Sequence, residues 1–173
     1  MLGVNLLFAG FALSLNGISY LTKVDERVKA VANVFVGLVI AVNAIFQTGA
    51  AGAAEEGGYI FYGFAAAMWM FALNYLIIAA HIFLKAENWK VFGVYSLFAS
   101  LVAFVFAGDA IVNGAPWELI VLWFMWALLW AQSFFAIITG VKWIGKLTPW
   151  ILIVNGVGST FLPGVLILLG VLF

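Results

Sequence analysis

Trp123, Trp126 and Trp130 fall at i, i+3 and i+7, so a helix would present them as one stripe. At 1.5 Å per residue that stripe rises through about 10 Å. Phe71 and Tyr75, at i and i+4, make a second stripe. Facing stripes of flat rings, with a few N–H, O–H and amide groups between them, would form a slot for a small planar uncharged molecule. Ring faces hold such a solute by stacking, while polar edges replace its lost hydration. A bare cation would lose far more hydration than the slot returns. Taken alone, the tryptophan stripe fits core packing at least as well as a passage. Trp117 and Trp143, near the ends of this region, fit the usual preference of indoles for a membrane interface.

The remaining polar groups in the apolar stretches are neutral: Asn5, Asn16, Asn33, Asn43, Asn74, Asn155, Gln132, Ser133, Thr139 and Ser159. An amide in hydrocarbon needs a partner, so these side chains should face other helices or a wet path. Helix-to-helix hydrogen bonds account for most of them, and a neutral pathway would use two or three. No stretch carries a central Asp, Glu, Lys or Arg, the groups on which proton relays and ion-coupled transporters depend. The absence of Cys excludes thiol chemistry and thiolate metal sites. His81 is the only histidine, too few for a metal site, and reads as a hydrogen-bonded or interfacial residue. No carboxylate pair suggests hydrolysis. The chain therefore reads as neither an enzyme nor a cofactor protein, and its zero net charge gives no sign of a nucleic-acid partner.

The elements that would hold these residues follow from composition. Of 173 residues, 67% are hydrophobic and 8% charged, which places the chain in a membrane. A span needs about 20 apolar residues. Charged and glycine-rich breaks leave six candidates, at 3–21, 29–50, 59–84, 91–109, 117–140 and 147–172. They make an all-α six-helix bundle, a single domain over 1–173. All seven Lys and Arg lie in three short segments: Lys23, Arg27 and Lys29; Lys85 and Lys90; Lys142 and Lys146. The alternate connections hold only acids, Glu55 and Glu56 in one, Asp109 and Glu118 in the other. Because cytoplasmic loops retain Lys and Arg, this pattern predicts that both termini lie outside. The basic cluster after the first span, with no basic residue before it, argues against reading that span as a secretory signal. Short connections make sequential helices antiparallel neighbours. Gly3, Gly10 and Gly17 share one face of the first span and predict a close-packed seam. Pro163-Gly164 predicts a bend in the last.

Several segments then resemble a known family. These are Met1-Leu2-Gly3-Val4-Asn5-Leu6-Leu7, Asn16-Gly17, Leu21-Thr22-Lys23-Val24-Asp25, Ala32-Asn33-Val34-Phe35-Val36-Gly37 and Tyr95-Ser96-Leu97-Phe98. Trp123-Phe124-Met125-Trp126-Ala127-Leu128-Leu129-Trp130 and Gly145-Lys146-Leu147-Thr148-Pro149-Trp150 complete the set. In order and type they are similar to the AmiS/UreI family of urea and short-chain amide channels, over essentially the whole chain. The resemblance implies a six-helix protomer with its own pore, assembled as a ring-shaped homo-hexamer in lipid. It implies a bacterial inner-membrane location and delivery of solute to a cytoplasmic urease or amidase. Trp123, Trp126, Trp130, Phe71 and Tyr75 match the family's aromatic pore lining, with Leu13, Asn16, Leu119 and Asn155 completing the implied set. Two of these depart from the pattern: Asn155 replaces a pore glutamate and Leu119 a pore tryptophan. The outer loops contain no His, so the histidine-based acid gate of the gastric members is not expected here. The leading expectation is a passive channel for urea and small amides, without cofactor or metal. A small secondary transporter of another neutral solute is the alternative, although neither a repeat nor a coupling charge is visible. A structural membrane subunit whose aromatics merely pack is a third reading.

Overall fold

The computed structural model describes residues 1–53 and 58–172, and its regular structure is helical. The helices are α1 (Leu2–Leu21), α2 (Glu26–Ala53), α3 (Gly58–Phe83), α4 (Lys90–Val112), α5 (Trp117–Phe134), α6 (Lys142–Asn155) and α7 (Leu162–Leu168). A wide π-helical turn, Phe135–Thr139, prolongs α5, and another, Gly156–Phe161, joins α6 to α7. Among the described residues, six helical spans are long and apolar enough to cross a membrane. Glu55 and Glu56 of the expected first outer loop lie outside the described residues.

Helix ends differ from the sequence expectation where polar residues take part in the helix. The second span begins at Glu26 rather than 29, because Asp25 Oδ1 accepts the backbone N–H of Arg27 at 2.8 Å and of Val28 at 3.4 Å. That cap satisfies amides otherwise left open at a helix start. The last span begins at Lys142 rather than 147, so both its lysines sit in the first turns. The turn signal Asn113-Gly114 ahead of Pro116 is realised: Gly114 has φ 63°, and α5 starts at Trp117.

The helices pair as α2 with α3, α4 with α5 and α1 with the α6–α7 span. The α1 seam is tight. A Cβ on Gly10 would come within 2.6 Å of Gly156 O and Phe161 N, one on Gly17 within 2.7 Å of Pro149 O, and one on Gly3 within 3.0 Å of Gly164 O. Only glycine allows the two backbones this approach.

The departure from α-helix in the last span falls at Gly156–Phe161, just ahead of Pro163 rather than at Pro163-Gly164. Proline has no N–H to return to the carbonyl four residues back, and its ring crowds that carbonyl. The carbonyl in question is that of Ser159, and its role belongs to the site.

Candidate functional site

Two cavities among the described residues flank the aromatic stripes. The larger, about 570 Å³, lies among α1, α3, α5 and α6, with Leu13, Asn16, Asn74, Tyr75, Trp130 and Thr148 in its wall. Its wall also includes Glu26, Lys29 and Trp89, which places it toward the end of the bundle that carries the Lys and Arg segments. The smaller, about 20 Å³, lies nearer the opposite end, among Leu2, Asn5, Leu6, Leu119, Trp123 and Trp126. Phe71 lines both.

The partition between the cavities is aromatic. The Phe71 ring stands 5.1 Å from Trp126, edge to face at 86°, and 5.0 Å from Trp130, tilted at 51°. Trp123 continues the series, 5.1 Å from Trp126 at 84°, and Phe106 stands 4.9 Å behind Trp123. Edge-to-face pairs at these separations are the favourable arrangement for aromatic quadrupoles. The three tryptophans are buried, while Phe124 and Leu128 on the other face of α5 are exposed.

Two of the three indoles, and the Tyr75 phenol, are oriented by hydrogen bonds. Trp126 Nε1–H donates to Ser159 O at 3.3 Å, the carbonyl that Pro163 cannot engage. Trp130 Nε1–H donates to Asn74 Oδ1 at 3.0 Å, and the Tyr75 hydroxyl donates to Ala9 O at 3.0 Å, tying α3 to α1. Ser159 Oγ in turn donates to Asn155 O at 2.8 Å and Asn155 Oδ1 at 3.1 Å. The ring ladder is thus fixed from α1, α3 and the loosened segment after α6.

Of the residues expected from sequence, Leu13, Asn16, Phe71, Tyr75 and Trp130 line the larger cavity, and Leu119, Trp123 and Trp126 the smaller. Asn155 stands apart from both walls. Its Nδ2 donates to Ile151 O at 3.0 Å within its own helix, and it reaches the ladder only through Ser159. Asn16 does line the cavity, but its amide is committed to Asn33 by two reciprocal hydrogen bonds of 2.9 Å. Asn74, Ser133, Thr148 and Asn5 also line the cavities and were not singled out as lining residues. Asn74 lies three residues after Phe71, one helical step along the same face, and that spacing was its available signal.

Among the described residues, no strong acid, base or nucleophile lines the partition. The charged groups of the larger cavity, Lys29 and Glu26, stand at its basic end and pair with each other at 2.6 Å. His81, near that end, has Nδ1 2.9 Å from Ile77 O, so this nitrogen carries the proton, and its ring stacks on Trp89 at 4.8 Å. Such walls can stack on a neutral solute and exchange hydrogen bonds with it. They offer no covalent chemistry.

Six spans enclosing aligned cavities with an aromatic partition define a multi-pass membrane protein of the solute-transporting kind. The AmiS/UreI family transporter pattern matches residues 1–171, and the chain belongs to that family. It is a family of transporters rather than enzymes. The acid-activated urea channel of Helicobacter pylori is 32% identical, with 94% of this chain and 95% of that one covered. A putative amidate substrates transporter protein of Mycolicibacterium smegmatis is 27% identical, over 97% of this chain and 76% of the other. The crystal structure of the Helicobacter pylori urea channel superposes with a TM-score of 0.85, at 28% identity and full coverage of both chains.

Proposed function

We propose that this protein is a passive, energy-independent channel for urea and small neutral amides. Solute enters from the side of the termini, slips past Phe71 between Trp126 and Trp130, and leaves through the larger cavity toward the cytoplasm. The channel sits in a bacterial inner membrane as a ring-shaped hexamer with one pathway per protomer, and feeds a cytoplasmic urease or amidase. The observation that carries this reading is the uncharged ring partition between two aligned cavities. It is supported by similarity to a urea channel and to an amidate transporter at nearly full length.

A planar solute stacks on one ring face and meets the edge of the next, because neighbouring rings stand at steep angles to one another. Water hydrogen bonds are exchanged for Asn74, Thr148 and backbone groups along the larger cavity. Weak binding at each step keeps passage fast.

Stopped-flow swelling of proteoliposomes with urea, acetamide and glycerol tests the reading. Urea and acetamide permeate well above protein-free vesicles, and glycerol, bulkier and non-planar, lags. Trp126→Ala or Trp130→Ala changes urea permeability by about three- to tenfold, the range set by one aromatic pair, while assembly is kept. Unchanged permeability and selectivity in both variants would refute the role of the stripe. Uptake that depends on an ion gradient would favour a coupled transporter instead.

A further inference from the structure

Asn5 stands one turn after Leu2 and next to Leu6 on α1, in the wall of the smaller cavity, and is 4% exposed. Its Oδ1 accepts from Asn43 Nδ2 of α2 at 2.7 Å, which fixes the plane of the amide and turns its nitrogen away from that partner. Asn5 Nδ2 is the one buried side-chain nitrogen or oxygen without a hydrogen-bond partner among the described residues. Other buried amides near the pathway spend their donors, Asn16 on Asn33, Gln132 on Ser133 Oγ and Asn155 on Ile151 O, while Asn74 uses its Oδ1 to accept from Trp130 beside the larger cavity. An unspent donor inside a membrane bundle is destabilising unless something intermittently accepts from it. The adjoining cavity of about 20 Å³ has room for about one water, and its other walls are apolar apart from the Trp123 and Trp126 indoles.

We propose that Asn5 Nδ2 is a solute-recognition donor at the outer approach to the ring partition, and that it binds the carbonyl oxygen of a passing urea or amide. The inference rests on the channel reading. It adds a residue of stated chemistry: a donor selects an acceptor, and the carbonyl oxygen is the strongest neutral acceptor these solutes carry. Leu2, Leu6 and Trp123 supply the apolar surround that makes one hydrogen bond count. Only the carbonyl oxygen takes the place a water would fill, and the rest of the solute lies among Leu2, Leu6 and Trp123 as the rings of the partition move aside.

Thiourea is the discriminating probe, because it keeps the shape and the N–H groups of urea and replaces the oxygen by sulfur, a weak acceptor. In proteoliposomes, Asn5→Leu combined with Asn43→Val removes the donor without stranding its partner. This pair lowers urea permeability by about three- to tenfold, as expected for one neutral hydrogen bond, and leaves thiourea within about twofold. Asn5→Ser, which keeps a smaller donor, falls between wild type and the pair and supplies the measurement if the pair fails to assemble. A urea-to-thiourea ratio equal to wild type in the variants overturns the proposal and marks Asn5 as a holder of trapped water alone. A wild-type protein that passes urea no faster than protein-free vesicles overturns the channel reading and this proposal with it.

Discussion

At the residue scale, the ladder owes its geometry to acceptors rather than to the rings alone. Trp130 is aimed by Asn74, so Asn74→Leu leaves a buried indole N–H without a partner, at a cost of about 1–3 kcal/mol. Thermal denaturation in detergent measures that loss, and urea permeability falls in parallel as the ring wanders; a variant as stable as wild type contradicts the assignment. The stripe of Trp123, Trp126 and Trp130 was legible because spacing alone fixes a shared helix face, and no charge competed for it. Asn5, Asn16 and Asn155 were harder to separate, because periodicity places an amide on a face but does not say which partner consumes it. Asn16 is consumed by Asn33 and Asn155 by its own backbone, whereas Asn5 keeps a donor unspent. That difference arises from tertiary contacts with no sequence signature.

At the element scale, the span built from α6 and α7 links a break in helical bonding to the position of one indole. Pro163 has no N–H to give Ser159 O, that carbonyl lies in the wide turn Gly156–Phe161, and Trp126 donates to it. Pro163→Ala restores an N–H that competes for this carbonyl, and Trp126→Phe removes the indole donor while keeping a ring. Both variants change urea permeability in the same direction, and the double variant is non-additive by about 0.5 kcal/mol or more in transport free energy. Additive effects would separate the proline from the ladder. The sequence carried the proline, but the departure from α-helix falls in the preceding turn, Gly156–Phe161, which contains Gly156 and Gly158. The glycine seam of α1 was fully legible, since a seven-residue recurrence of glycine leaves few readings other than close approach.

At the scale of the whole molecule, charge sorting and apolar length conveyed the bundle directly, because a bilayer allows few alternatives to helices that satisfy their own backbones. Short connections made the α2–α3 and α4–α5 pairs legible, whereas the packing of α1 on the α6–α7 span and the division into two cavities were not, since both depend on which faces meet. The sole histidine lies at the basic end, stacked on Trp89, and the sequence of the opposite connections contains none. Urea flux therefore stays within about twofold between about pH 5 and pH 7, the range over which histidine titrates. Proteoliposomes equilibrated at each pH test this, and a several-fold rise on acidification contradicts it.

The glycine contacts that lock α1 against its neighbour also decide which parts can give way. With Gly3, Gly10 and Gly17 in van der Waals register against the last span, that side is a rigid post, and on the proposed channel reading the width of the passage would be set by Phe71 and the indoles opposite. Its elasticity is that of side-chain rotamers, so throughput should respond to temperature and to ring size, and little to the thickness or tension of the surrounding lipid.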